Sequence, residues 1–108
     1  MDSKKGLFEV EFTDESIEEL SEIYEYISNK LKENNAAKRL IAEVTSRILD
    51  LVNEPELYIK IGKIDKLKRE YHRMVVKNYI VLYTIDFEKR KVFISHIIYK
   101  RRSYLDLL

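Results

Sequence analysis

Arg73, Lys77, Lys100, Arg101 and Arg102 stand close in sequence to Tyr71, Tyr79, Tyr83, Tyr99 and Tyr104. Guanidinium groups clamp phosphate oxygens in bidentate fashion, and phenol rings stack on unpaired bases. Cleavage at a phosphate needs charge stabilisation on the phosphoryl oxygens and a proton donor for the leaving group, roles that Arg and Tyr can fill. Tyrosines are also good strand formers with polar tips. That plain reading is the expectation for Tyr79 and Tyr83, which share a strand face, whereas Tyr104, in a basic tail expected to be exposed, stays open to either. Lys77, Lys100, Arg101 and Arg102 are the candidates for binding a target or a nucleic acid. The two histidines are His72 and His96. His96 sits among Ile94, Ile97 and Ile98, so the expectation is a hydrogen-bonded structural imidazole, with acid–base work only if its strand face is open. The same structural role is expected of His72.

Much chemistry is excluded by absence. The chain has no cysteine, so it offers no thiolate ligand or nucleophile. The histidines lie in no H-E-x-x-H arrangement, no serine lies in a nucleophile-elbow context, and Gly6 and Gly62 alone cannot build a phosphate-cradling loop. No metal and no cofactor are expected. No apolar run approaches the ~20 residues of a membrane span, and the first residues lack the apolar stretch of a signal peptide, so a cytoplasmic protein with no membrane partner is expected. The net charge of +1 hides an asymmetry: residues 1–54 carry 7 Lys/Arg against 13 Asp/Glu, and residues 55–108 carry 13 against 6. A cationic surface for a polyanion or an acidic partner is the favoured reading, against partial neutralisation of one half by the other.

The basic and aromatic residues lie on three runs rich in Val, Ile, Tyr and Phe, at 71–76, 79–85 and 92–99. Lys77-Asn78 reads as a two-residue hairpin turn in which Asn tolerates the positive φ such turns demand. Residues 87–90 make a second, charged turn, so the three runs form an antiparallel meander with a cationic exit. Upstream, residues 7–12 alternate apolar and acidic side chains, the period of a half-buried strand. Thr13 and Asp14 offer N-caps to a helix with Ile17, Leu20, Ile23, Tyr24, Ile27 and Leu31 at helical spacing. Asn34-Asn35 breaks it, and a second helix begins near Ala36, carries Ala37, Leu40, Ile41, Val44, Ile48 and Leu51 on one face, and is closed by Pro55. Residues 56–70 read as a mobile basic loop, with a short strand at 57–61 as the alternative. The tail is expected to add a short helical turn that packs Leu105 or Leu108 on the body. The order β-α-α-β-β-β gives an α+β fold: one domain over residues 1–108, two layers, with an αα-hairpin on one face of a mainly antiparallel four-stranded sheet. Val92/Ile94/Ile98 and Phe93/Ile97/Tyr99 are both apolar, so which sheet face is open is not decided by pattern.

Taken together, these pieces resemble the toxins of the RelE/ParE superfamily from bacterial type II toxin–antitoxin modules. FTDESIEELSEIYEYIS is similar to the family's first helix, and AAKRLIAEVTSRILDLVNEP to its second, ending in Leu-x-x-x-Pro. RMVVKNYIVLY, from Arg73 to Tyr83, resembles the family's Arg, aliphatic run, small turn and Tyr-x-x-x-Tyr hairpin; VFISHIIYKRRSY, from Val92 to Tyr104, resembles the last strand and its Arg-Arg exit. The resemblance implies a growth-inhibiting toxin that oligomerises with, and is silenced by, a cognate antitoxin. RelE-like members cleave mRNA on the ribosome without a metal; ParE-like members inhibit DNA gyrase by binding. Arg101 matches the basic residue after the last strand in RelE-like toxins, and Tyr104 lies near, but closer to that Arg than, their late tyrosine. Ile80, however, stands where those nucleases place an Arg. The exit Tyr99-Lys100-Arg101-Arg102-Ser103 is closer to the ParE-like His-x-Arg-Arg-Asp ending, with Tyr99 for the His and Ser103 for the Asp. The expectation leans to a ParE-like, non-enzymatic gyrase inhibitor. The alternative is a RelE-like endoribonuclease with Arg73 and Arg101 on the phosphate and Tyr104 or His96 as the proton group, and a degraded toxin that keeps only antitoxin binding is a third reading.

Overall fold

In the computed structural model, which describes residues 7–63 and 69–107, the alternating start of the chain becomes strand β1 (Glu9–Phe12). Helix α1 (Asp14–Glu25) follows at once. The hydroxyl of Thr13 accepts from the Ser16 amide, while the buried Ser16 hydroxyl donates back to the Thr13 carbonyl. Acidic Asp14 and Glu15 occupy the first turn, where the helix dipole favours them. One π turn (Tyr26–Lys30) ends this helix, with the Leu31 amide on the Tyr26 carbonyl and Lys32 in the left-handed region at φ 55°. The break therefore falls at Leu31–Glu33, not at Asn34-Asn35. Both asparagines lie in the first turn of α2 (Asn34–Leu49), and the Asn34 side chain accepts from the Ser28 hydroxyl across the corner.

The sheet has five strands, not four, in the order β1-β5-β4-β3-β2. The added strand is β2 (Ile59–Lys63), the alternative that the 57–61 pattern offered. It pairs antiparallel with β3 (Glu70–Val76) through a bulge between Lys60 and Gly62, and Gly62 there takes φ 93°, a conformation that favours glycine. Residues 64–68, the centre of the expected basic loop, lie outside the described residues. The meander continues into β4 (Tyr79–Asp86) and β5 (Lys91–Tyr99), both joined antiparallel, and β1 runs parallel to β5. In the first hairpin turn the positive φ, 53°, falls on Lys77 rather than on Asn78. The second turn is held by Asp86, whose carboxylate accepts from the Lys89 amide, and it closes through Arg90 at φ 53°.

Both helices cover one sheet face. The α2 stripe of Leu40, Val44 and Ile48, with Leu51 beyond it, packs on Met74, Val76, Val81, Tyr83, Val92, Ile94 and Ile97, and Leu20, Ile23 and Ile27 pack against the same cluster. The ambiguity of the last strand is resolved by a second bulge. Leu82 pairs with His96 and Tyr83 with Ile94, which leaves Ser95 as an extra residue and turns both Ile94 and Ile97 to the helices. Ile98 faces the other side, in a smaller cluster with Tyr71, Ile80 and Leu82. The tail covers that cluster with a short 3-10 turn (Tyr104–Leu107), using Tyr104 and Leu107. The expected anchors, the Leu105 side chain and Leu108, lie outside what is described.

Segment 55–58 is bound to the sheet by two aromatic side chains. The fully buried Tyr83 hydroxyl donates to the Pro55 carbonyl at 2.8 Å. His72, stacked on Tyr83 at 5.1 Å, donates from Nδ1 to the Tyr58 carbonyl at 3.0 Å, which is the structural role its strand context suggested. Burial pushes the Tyr83 phenol far above its ordinary 10.0. The native state thus holds a proton that the unfolded chain releases. The stability from that proton is complete below about pH 10 and is lost as pH rises toward the native value. Urea titrations should show wild-type stability falling more steeply above about pH 10 than that of Tyr83→Phe, which at neutral pH should be weaker by about 1 kcal/mol for the lost hydrogen bond.

Candidate functional site

β1 spans only the first part of β5, from Glu9 opposite Lys91 to Phe12 opposite Ile94. Beyond Ile94 the edge of β5 would be open, and α1 closes it with side chains. The Thr13 amide donates to the Ile94 carbonyl at 3.0 Å, and its hydroxyl, 3.0 Å from the carbonyls of Ile94 and Ser95, donates to that pair. One turn later, Glu19 accepts from the Ile97 amide at 3.0 Å, and its carboxylate oxygens lie 3.1 and 3.2 Å from Nδ1 of His96. His96 is therefore the hydrogen-bonded imidazole that its neighbours suggested. In the sequence Glu19 counts among the acids that suit the helix dipole, with no role at the strand edge. The signal was its spacing: Glu19, Ile23 and Tyr26 follow i, i+4, i+7, so a carboxylate sits within an apolar face.

That same helical face opens a groove of about 500 Å³ at the end of the sheet, between α1 with its π turn and the ends of β4 and β5. Tyr26, Tyr79 and Tyr99 line it with Glu19, Glu22 and Arg102. The Tyr79 and Tyr99 rings stand 5.8 Å apart at 52°, an open wedge. Burial, and after it the neighbouring Tyr99 and Tyr26, raise the Tyr79 phenol above its ordinary value. The Tyr79 phenol is therefore uncharged at neutral pH.

The basic candidates meet at this end of the molecule. The Lys100 amide donates to the Asn78 carbonyl at 2.8 Å, which ties the exit of β5 to the first hairpin turn and brings Lys100, Arg101 and Arg102 beside Lys77. Arg102 is held in a tight turn by its amide on the Tyr99 carbonyl. Lys77 pairs with Glu43 of α2 at 3.3 Å, and the three exit cations are exposed.

The nuclease candidates are distributed differently. Ile59, Arg73, Leu82 and His96 form one transverse row across β2, β3, β4 and β5. Arg73 and His96 are thus two strand spacings apart, about 10 Å, with the buried Leu82 between them. Arg73 Nε is buried without a hydrogen-bond partner. Tyr104, half-buried, packs on the apolar cluster of Tyr71, Ile80, Leu82 and Ile98 instead of standing free in the tail. Among the described residues no group of His, Asp and Glu is placed to hold a metal ion, and no helix is long and apolar enough to cross a membrane.

Glu19→Leu should leave the Ile97 amide and the His96 imidazole unpartnered, at a cost of about 1–3 kcal/mol in urea denaturation. Glu19→Gln keeps an acceptor and should lose less. Equal stability of Glu19→Leu and wild type would show that the edge needs no carboxylate.

The geometry can be set beside known proteins. Residues 10–104 match the family model described as the ParE toxin of the type II toxin–antitoxin system parDE. Comparison of the sequence with curated proteins finds no match. Among solved structures, the chain is similar to the chromosomal ParDE system from P. aeruginosa, with a TM-score of 0.69 at 10% identity over 88% of this chain and 98% of that one. It is also similar to the toxin–antitoxin complex RelBE2 from Mycobacterium tuberculosis, with a TM-score of 0.64 at 22% identity over 94% of this chain and 100% of that one. A third similar structure is that of E. coli RelE, as a double arginine-to-alanine mutant in the free state, with a TM-score of 0.63 at 12% identity over 94% and 92% of the two chains. At such identities these structures speak to the fold.

Proposed function

From the premise that this chain belongs to the ParE toxin family of type II toxin–antitoxin systems, we propose that it arrests growth in the cytoplasm by binding DNA gyrase. A cognate antitoxin encoded beside it neutralises that activity by forming an oligomeric complex. The observation that carries the binding reading is Ile80. It is 3% exposed and packs with Tyr71, Leu82 and Ile98 under Tyr104, so an apolar cluster fills the place where a RelE-like nuclease carries an arginine. An aliphatic side chain cannot hold a phosphoryl oxygen. The exposed cations of the exit, Lys100, Arg101 and Arg102, are free to meet an acidic surface of the target, with Lys77 beside them. Charge steers such encounters and sets their register.

A second reading keeps one observation on its side. Arg73 carries a buried, unpartnered Nε on the sheet face that Tyr104 covers. A ribosome-dependent endoribonuclease would use Arg73 and Arg101 on the scissile phosphate, and Tyr104 or His96 for the proton.

Two assays separate the readings. In a gyrase supercoiling reaction the purified chain should inhibit, and the double variant Arg101→Ala with Arg102→Ala should inhibit more weakly by about tenfold or more, as two charge-assisted contacts are lost. In a reconstituted translation reaction mapped by primer extension, the mRNA should stay intact. Ribosome-dependent ends inside codons, lost on substitution of Tyr104→Phe with His96→Ala, would replace the gyrase reading by the nuclease.

A further inference from the structure

The groove at the end of the sheet has a composition that points to one kind of occupant. Three tyrosine rings (Tyr26, Tyr79 and Tyr99) and two carboxylates (Glu19 and Glu22) line it, against a single cation, Arg102. Tyr26 is 54% exposed and Tyr99 45%, so their rings are open to a ligand. A cation is attracted to the face of an aromatic ring, and most strongly where several rings and a carboxylate surround it. An anion in the same place would meet the negative faces of the rings and both glutamates. Glu19 is already engaged by the Ile97 amide and His96, but Glu22 is exposed and forms no ion pair among the described residues. The helix that supplies both glutamates carries six acidic residues and no basic one.

We propose that this groove is a receptor for a cationic side chain, an arginine or lysine presented by a basic segment of a protein partner. The rings form the walls, and Glu22 is the carboxylate that the incoming cation pairs with. The phenol oxygens accept hydrogen bonds from its N–H groups. Arg102 is exposed and lines the same groove, so the chain's own guanidinium competes with the incoming one. Filling the groove thus displaces or repels a residue of the basic exit that the gyrase reading assigns to target binding. Only this link to target binding rests on that reading; the chemistry of the groove does not.

The test is an NMR titration of the purified full chain with N-acetyl-arginine amide, its uncharged citrulline counterpart and N-acetyl-glutamate amide. The arginine probe should produce saturable shifts at the amides of Asn78, Tyr79 and Tyr99, binding at least about fivefold more tightly than citrulline, and the glutamate probe should produce none. Glu22→Gln and Tyr26→Leu, both at exposed positions that the core does not need, should weaken the arginine probe. Arg102→Ala should strengthen it. Equal binding of citrulline, binding of glutamate, or weakening by Arg102→Ala would overturn the proposal. Because toxicity and gyrase inhibition are not read, a failed gyrase assay leaves this result standing, and a failed titration leaves the gyrase assay standing.

Discussion

The rest of the structure depends on how the edge of β5 is closed. β5 is the longest strand described and lies between β4 and a β1 of only four residues, so the short partner runs out while β5 continues. Backbone groups left unpaired in a buried sheet cost about 1–3 kcal/mol each. Thr13 and Glu19 meet that demand from the first two turns of α1. Their bonds also fix the helix in position and in rotation. With Glu19 at the strand edge, Leu20, Ile23 and Ile27 face the core, and Tyr26 is carried to the end of the sheet beside Tyr79 and Tyr99. The groove follows from the way the edge is satisfied.

The two faces of the sheet are unequal, and the difference bears on chemistry. One face takes both helices and the large core. The other carries a small apolar cluster under a single 3-10 turn, with Arg73 next to it. A catalytic centre on that second face would need several polar groups converging on one space. What the face presents at its centre is Ile80, Leu82 and Ile98, with the ring of Tyr104 on top. Of the polar candidates, His96 is turned to Glu19, and Arg101 belongs to the exit turn at the end of the sheet. This arrangement is the support for the proposed binding reading over the nuclease alternative.

The elements with clean periodicity were legible in the sequence. The apolar stripe of α2 and the Tyr79–Asp86 strand lie where the pattern of apolar residues put them, although α2 itself ends at Leu49, short of the expected stop at Pro55. What pattern could not supply were the two bulges. An extra residue at Ser95 shifts the alternation of β5 midway, so Ile94 and Ile97 share a face although they are three apart, an odd spacing. A bulge at Ile61 likewise breaks the period of β2, so the pattern offered that strand only as an alternative and at 57–61 instead of Ile59–Lys63. The positive φ at Lys77 instead of Asn78 has the same lesson: a turn dictated by the register of its strands overrides the preference of its residues. The groove was invisible for a different reason. Tyr26, Tyr79 and Tyr99 come from three elements, and only the tertiary fold brings them to one wall.

The charge asymmetry of the chain can now be located. Part of it is neutralised across the halves, in Lys77 with Glu43 and Lys91 with Glu11. Such exposed pairs contribute little to stability, on the order of 0–1 kcal/mol, so folding alone gives no reason to keep acids and bases in separate halves. The remainder is organised spatially. Glu19 and Glu22 of the acidic α1 line the groove, and Arg102 of the basic exit lines it with them. A partner that offers cations to the acidic side therefore approaches within reach of the basic side as well, and one that covers the basic side meets the acidic ridge. Opposed fields at adjoining surfaces give a small protein a means by which the occupancy of one surface alters the affinity of the other, with no change of fold required.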